Sequence, residues 1–303
     1  MSVTLEKRIC PICADQTAAC VPAVHSVPPG ESLSLEDLKP YWNRTLKERI
    51  FLSYGRCERC QLLYCPNYFT PAQLNELYAG MSDNTGGVSV NILRKTQKGY
   101  FDVLRKFSPL RGDYLEVGPD IGLFAENCVR EGEFQKYWLF EPNDGVQGTL
   151  RSVVREKEFE IIPSLLNVDL IPDGQIAVVV MVHVFDHLLD PVGTLKSLKR
   201  KLASSAVLLI VSPDESSFLA RVYGRKWGMY SLEHPQVFNP TSITNLMKAA
   251  GYRVLTVKKS YNYFPLSYLF QRMMNFQSIR YPTMDVTLRL KLGNIITVAS
   301  PVD

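Results

Sequence analysis

Acids and glycines are interleaved in one short stretch of this chain, Asp113-Tyr-Leu-Glu-Val-Gly-Pro-Asp-Ile-Gly-Leu-Phe124, and a later apolar run, Tyr137-Trp-Leu-Phe-Glu141, ends in another acid. A buried strand, a glycine turn into a helix and a second strand ending in a carboxylate are how an open α/β sheet holds a nucleoside. Glu116 falls near the end of the first strand, Asp120 inside the turn and Glu141 at the end of the second strand.

Charge decides which nucleoside. A dinucleotide would set its pyrophosphate on the backbone N–H groups of this turn, where nearby carboxylates repel it. A ligand with an ammonium and a sulfonium and no phosphate is attracted there by the same Coulomb law. The pattern therefore selects S-adenosylmethionine, and Glu141 is expected to accept from both ribose hydroxyls.

A second group of residues suits a metal. Cys10-Pro-Ile-Cys13 and Cys57-Glu-Arg-Cys60 form paired Cys-x-x-Cys knuckles among seven cysteines. Two such knuckles close a tetrahedral site, because both sulfurs of each can reach one ion at about 2.3 Å. Zn2+ is the expected occupant, with a structural role, since four thiolates leave no position for substrate. Cys20 and His25 offer a competing ligand set; Cys65 and Cys128 read as packing residues. The segment between the knuckles carries Pro28-Pro29-Gly30 and is expected to form a loop and a short helix.

The bulk properties set limits. With 303 residues, 46% apolar and 21% charged, the chain is long enough for one sizeable core and a small appended unit. A net charge of +4 is mild, which argues against the dense basic surface of a dedicated nucleic-acid binder. The opening residues Met-Ser-Val-Thr-Leu-Glu-Lys-Arg lack an apolar signal core, and the greasiest stretch, Ile176 to Phe185, is interrupted by His183 and too short for a bilayer. A cytoplasmic protein with reduced cysteines is expected.

The elements that must position these groups alternate. Strand-like runs at Tyr114–Val117, Trp138–Phe140, Phe159–Ile162, Ile176–Val182, Ala206–Val211 and Tyr252–Val257 are separated by helical patterns, which predicts an α/β fold with a parallel, doubly wound sheet. Pro191 to Leu202 reads as a crossover helix with a basic last turn. Val286–Leu292 alternates with period two, and Asn294–Ser300 is expected to be an antiparallel strand closing the sheet edge. Upstream, Thr70–Tyr78 and Asn91–Phe107 read as helices, with a flexible connection at Ala79–Val90 between them. The organisation is a zinc-binding unit over residues 1–68, a helical linker over 69–110 and a cofactor-binding domain over 111–303. The Tyr261–Tyr281 segment reads as a helix packed on the sheet, with a dimer surface, a membrane-facing patch or a substrate lid as the other readings.

Three segments together resemble class I S-adenosylmethionine-dependent methyltransferases, a Rossmann-like fold. Leu115-Glu-Val-Gly-Pro-Asp-Ile-Gly-Leu-Phe is similar to the family's first motif, and Val182-His-Val-Phe-Asp-His-Leu-Leu-Asp-Pro191 to its fourth-strand segment. His234-Pro-Gln-Val-Phe-Asn-Pro through Leu246-Met-Lys-Ala-Ala-Gly-Tyr252 resembles the region of its last crossover helix. Cys57-x-x-Cys60-Gln-Leu-Leu-Tyr and Leu77-Tyr78 resemble a subgroup with an N-terminal zinc unit that includes sugar methyltransferases, so the likeness extends over nearly the whole chain. The resemblance implies cofactor contacts from Glu116, Gly118, Asp120, Gly122, Glu141, Pro142, Ser164, Leu165, Val182 and Tyr78. Asp120 departs from the family, standing where its middle glycine would be.

Methyl transfer is an in-line displacement at a sulfonium carbon, so the protein must align a nucleophile near 3 Å and, for a hydroxyl, remove its proton. His183 and His187 flank the end of the fourth strand; His234 follows on a later loop with Glu233 and Tyr230. These five are the candidate catalytic residues. Some sugar C-methyltransferases carry a Tyr-x-Glu-His segment that Tyr230-Ser-Leu-Glu233-His234 resembles with one extra residue, and they have a further C-terminal domain. The end of this chain at 303 points instead to O- or N-methylation. The acceptor is expected to be a small molecule, a sugar or sugar nucleotide. Three other readings compete: a divalent cation held by His183, Asp186 and His187, as a related motif does in some quinone-pathway O-methyltransferases; RNA methylation with the zinc unit as reader; and a scaffold that has lost catalysis through Asp120. Oligomeric state is left open.

Overall fold

The computed structural model describes residues 2–15, 17–42, 49–79, 89–267 and 286–302. Its centre is a seven-stranded sheet. In chain order the strands are β1 (Arg111–Val117), β2 (Glu133–Phe140), β3 (Glu158–Ile162), β4 (Ile176–Val182), β5 (Leu202–Pro213), β6 (Tyr252–Lys259) and β7 (Asn294–Pro301). Their spatial order is β6-β7-β5-β4-β1-β2-β3. The strands from β1 to β5 pair in parallel, and β7 runs antiparallel to both of its neighbours.

Strand β4 shows why these residues make a central strand. Ile176, Val178, Val179, Val180 and Met181 are all 1% exposed or less. A continuous run of this kind buries both faces of a parallel strand, and each such side chain contributes roughly 1.5–3 kcal/mol.

Helices cover both faces. On one lie α1 (Val90–Leu104), α2 (Leu123–Glu131) and α3 (Asp144–Val154), packing Phe101, Phe124 and Leu150 against Tyr114, Tyr137 and Val180. On the other lie α4 (Pro191–Lys199) and α5 (Pro240–Ala249), packing Leu195, Leu198 and Leu246 against Leu115, Val179 and Leu208. Both start on Pro, with Asp190 capping α4 and Asn239 capping α5 through side-chain oxygens that accept backbone N–H groups.

Several sequence expectations need correction. Helix α4 stops at Lys199, not Leu202; Leu202 already pairs with Ile176 as the first residue of β5. The buried Lys201 ammonium donates to the Ile171 carbonyl at 2.7 Å, which ties down the turn between them. Asn294–Pro301 is antiparallel as expected but lies between β5 and β6, and β6 is the edge. Ile295, Ile296, Thr297, Val298 and Ala299 are all buried, whereas β6 ends in exposed Lys258 and Lys259, charges that suit an unpaired edge. The period-two segment forms Thr287–Leu290, which pairs with Asn262–Pro265 in a separate ribbon beside α1. Of the Tyr261–Tyr281 segment, residues 268–281 lie outside the described residues, as do residues 80–88 of the connection.

The N-terminal residues are more ordered than a loop. Cys20–Val24 pairs antiparallel with Tyr54–Cys57, and the sheet continues through Leu63–Tyr64 to Gln236–Val237. This small sheet thus takes its last strand from the segment before α5, and Leu62 and Tyr64 share a core with Phe238 and Ile243.

Candidate functional site

Strands β1 to β4 run parallel, so their carboxyl ends gather the turn Gly118–Gly122, Glu141, Ser164 and His183 along one edge. That edge is where open α/β sheets bind ligands. Gly118 has φ +66°, and a Cβ on it would stand 2.5 Å from Cγ2 of Val184, so only glycine fits between the turn and the segment after β4. Gly122 has φ +80°, and a Cβ there would meet Leu150 of α3 at 2.9 Å. Asp120, the departure from the family's glycine, adopts φ +53°. Asp tolerates that left-handed region better than most side chains, so the turn keeps its path.

Glu141 is 6% exposed and closes this arrangement. Its Oε2 accepts the Asp120 N–H at 2.8 Å and its Oε1 accepts the Asn143 N–H at 2.9 Å. Burial raises its pKa, and those two donors oppose the rise. A buried carboxylate at the end of β2 beside a glycine cradle fits the ribose of a nucleoside. Pro142 and Leu165 are exposed on the same edge, Ser164 and Val182 half-buried, and the Ser164 hydroxyl donates to the Leu165 carbonyl at 2.9 Å. Tyr78 lies in the helix Pro71–Ala79, and its side chain is outside the described residues.

Glu116 behaves differently from its expected role as a charge in the turn. It is 2% exposed and accepts the Tyr114 hydroxyl at 2.6 Å. Burial pushes its pKa to about 8, with Glu141 adding to the rise and Tyr114 opposing it. At neutral pH it is largely protonated, which leaves Asp120 and Glu141 as the acids at the turn.

The histidines separate into two places. His183 ends β4 with φ +54°, exposed, and its Nε2 accepts from Asn294 Nδ2 at 3.2 Å. A non-glycine residue held in the left-handed region at a strand end is uncommon and concentrates at functional sites. His187 and His234 instead meet over Asp186, their ring centroids 4.7 Å apart. The expected trio of His183, Asp186 and His187 is thus replaced by Asp186, His187 and His234, whose ligand atoms all lie within 4.8 Å of one another. Sequence reasoning missed this set because His234 is brought in by the loop before α5.

Electrostatics differ across that cluster. Burial pushes the Asp186 carboxyl up, but the three surrounding imidazoles hold it down to about 2. Burial and the neighbouring imidazoles take His187 down to about 4, so it is neutral at pH 7. Burial lowers His234, yet Asp186 and Glu233 more than reverse this and raise it. Glu233 is itself raised by burial. Tyr230 stands apart, packed on Tyr54 and Trp227, its pKa pushed to about 12 by burial and the nearby Glu215.

Cys10, Cys13, Cys57 and Cys60 converge, with Sγ atoms 3.4 Å apart for Cys10 and Cys60 and 3.7 Å for Cys13 and Cys57. Four thiolates on one tetrahedral ion at about 2.3 Å stand roughly 3.8 Å from one another, so this donor set fits such an ion. Neither Cys20 nor His25 joins it; Cys20 sits opposite Cys57 on the neighbouring strand. Cys65 and Cys128 are fully buried, as packing residues should be.

No curated protein matches the chain. Among solved structures, it is similar to a chain of the complex between the Haloferax volcanii Trm112 methyltransferase activator and its methyltransferase, at 13% identity and TM-score 0.51, covering 70% of this chain and 92% of that one. A SAM-dependent methyltransferase from Aquifex aeolicus is 17% identical at TM-score 0.49, covering 77% of this chain and 100% of that one. The methyltransferase-domain family model matches residues 92–257, which span the glycine turn, Glu141 and all the histidines around β4 and α5. By that match the chain belongs to the methyltransferase-domain family, and it is a methyltransferase of the S-adenosylmethionine-dependent class.

Proposed function

We propose that this enzyme methylates a hydroxyl, or an amine, on a small polar acceptor, a sugar or sugar nucleotide. The observation that carries the choice of a protic nucleophile is His183, exposed at the end of β4 in a left-handed conformation and oriented by Asn294. Accepting from the amide, Nε2 leaves the proton on Nδ1 in the neutral ring. When bound, S-adenosylmethionine supplies a methyl group on a positively charged sulfur. Gly118 and Gly122 admit its methionine part, Asp120 draws its ammonium, and Glu141 holds ribose. Pro142, Ser164, Leu165 and Val182 border the adenosine, the family resemblance adds Tyr78 to the cofactor contacts, and Glu116 is held within β1 by Tyr114. When the acceptor hydroxyl takes the place of the Asn294 amide at His183 Nε2, that nitrogen takes the hydroxyl proton as the new O–CH3 bond forms and the S–CH3 bond breaks, leaving S-adenosylhomocysteine.

His187, His234, Glu233 and Tyr230 belong to the acceptor side of this reading. The sugar class rests on the subgroup resemblance of Cys57-x-x-Cys60 and of Tyr230-Ser-Leu-Glu233-His234. The four-cysteine cluster would hold a structural Zn2+ that stabilises residues 1–68, ahead of a helical linker at 69–110 and the methyltransferase domain at 111–303. Reduced, clustered thiols suit the cytoplasm; among the described residues, no helix is long and apolar enough to cross a membrane.

The test is S-adenosylhomocysteine release with a panel of nucleotide sugars, free sugars and structured RNA. Turnover on a sugar that falls about 100-fold in His183→Ala, with cofactor affinity retained, is the expected result. Turnover on RNA alone, or equal turnover in the variant, would overturn the reading.

A further inference from the structure

Asp186 is 1% exposed, and no backbone N–H or hydroxyl donates to either of its carboxylate oxygens. Two imidazoles face it, with His234 Nε2 at 3.1 Å and His187 Nε2 at 3.8 Å from the same oxygen, Oδ2. A His234 N–H aimed at that oxygen would be a good hydrogen bond at this distance. His234 Nε2 and Asp186 Oδ2 are therefore in close charge contact, at a separation that two ligands on a common ion would also show.

The far side of each ring supports the same conclusion. His234 Nδ1 lies 3.1 Å from the Met229 carbonyl, which can only accept, and 2.8 Å from the Ser231 hydroxyl. Nδ1 therefore carries a proton, and Nε2 is the nitrogen that faces Asp186, as N–H in the charged ring and as a lone pair once a metal ion replaces that proton. His187 is likewise hydrogen-bonded to the Glu233 backbone. Metal-ligating histidines characteristically donate their other ring nitrogen to a carbonyl, which fixes tautomer and orientation. Two imidazole Nε2 atoms and a buried carboxylate stay together only with positive charge among them, which a proton on His234 supplies in the apo protein and a metal ion would supply in its place.

We infer that Asp186, His187 and His234 form a two-histidine, one-carboxylate site for a divalent first-row transition ion, separate from the four-cysteine cluster. Ligand atoms at about 2.0–2.2 Å from one ion stand roughly 3.0–3.6 Å apart, and small ring rotations bring the observed set into that range. Two imidazoles exclude Mg2+ and Ca2+ as preferred occupants and favour ions such as Mn2+, Fe2+, Co2+ or Zn2+. Three protein ligands leave coordination positions open, unlike four thiolates. His187, whose side chain is 23% exposed, marks the open side. Val184, in the same segment after β4, is the residue that packs on Gly118, so the ion would stand near the methyl donor's turn. There its open positions would take an oxygen of the acceptor. This last role rests on the methyl-transfer reading above; the ion site does not.

The test uses the full chain with the four-cysteine cluster already loaded with zinc. Mn2+ is added without cofactor or acceptor and bound ion is counted by electron paramagnetic resonance. Co2+ is then added to a second sample and its absorption recorded. The expected result is one ion per chain beyond the thiolate zinc, a cobalt spectrum free of thiolate charge transfer, and at least a tenfold loss of affinity in both Asp186→Asn and His187→Gln. His187→Gln alters the partly exposed ring, so that arm stands even if Asp186→Asn fails to fold. No additional ion, or unchanged affinity in a folded His187→Gln protein, would overturn the site. Cofactor binding by calorimetry on the same samples fails or succeeds independently, which separates a wrong ion site from a wrong methyl-transfer reading.

Discussion

The Oε2 of Glu141 accepts the backbone N–H of Asp120 at 2.8 Å, so the acid that ends β2 also clamps the turn that follows β1. One carboxylate thereby fixes the glycine cradle, and its remaining lone pairs are the ones proposed above to hold the ribose. Glu141→Ala should cost both functions. The expected outcome is at least a tenfold weaker affinity for S-adenosylhomocysteine by calorimetry, and a destabilisation of about 1–3 kcal/mol from the N–H groups it leaves unpaired. Glu141→Gln, which keeps an acceptor, should lose less of each.

Asp120 separates backbone from charge. Its φ of +53° is tolerable for Asp and Asn but costly for a β-branched side chain. Asp120→Asn should therefore melt within about 0.5 kcal/mol of the parent, while Asp120→Val loses about 1–2 kcal/mol. If the carboxylate draws the cofactor's ammonium, the folded Asn variant binds it more weakly, and added salt shrinks the difference. Equal affinity would remove Asp120 from the electrostatic account.

The buried Glu116 gives the fold a pH dependence of unusual sign. Its folded pKa of about 8 is above the ordinary carboxyl value of 4.5, so between those two pH values the folded state holds more protons than the unfolded one. Stability then falls as pH rises through that window, by up to about 1.4 kcal/mol per pH unit, and the fall ends above the folded pKa. Chemical denaturation from pH 5 to 9 should show this slope, and Glu116→Gln should flatten it. A parent curve already flat over that range would contradict an uncharged Glu116.

The cysteine cluster predicts a metal-dependent N-terminal region. Cys10 and Cys57 are both buried and belong to the core shared with Phe238 and Leu246 on the other side of the chain. Chelation, or Cys57→Ser, should lower the melting temperature and remove one zinc per chain by elemental analysis. Loss of zinc with an unchanged melting curve would mean the ion does not support the fold.

How much of this was written in the chain depends on the range of the interaction. Ile176–Val182 was legible to the residue because its apolar run and flanking turns are local. The turn at Gly118–Gly122 and Glu141 were legible for the same reason. The position of β7 was less so, although its unbroken Ile-Ile-Thr-Val-Ala core is the pattern of an interior strand and β6's terminal lysines that of an edge. The fate of Glu116 was hidden, since strand alternation sets which way a carboxyl points but not that Tyr114 will bond it. His234 over Asp186 was hidden altogether: they stand 48 positions apart in the chain, and only the packing of the loop before α5 brings them together.

The most direct test of the account is a paired calorimetric titration of the full chain with S-adenosylmethionine and with NAD. The account predicts one sulfonium donor bound per chain, at least tenfold more weakly in Glu141→Ala, with no detectable heat from the dinucleotide. Saturable NAD binding abolished by Glu141→Ala, with S-adenosylmethionine inert, would contradict it.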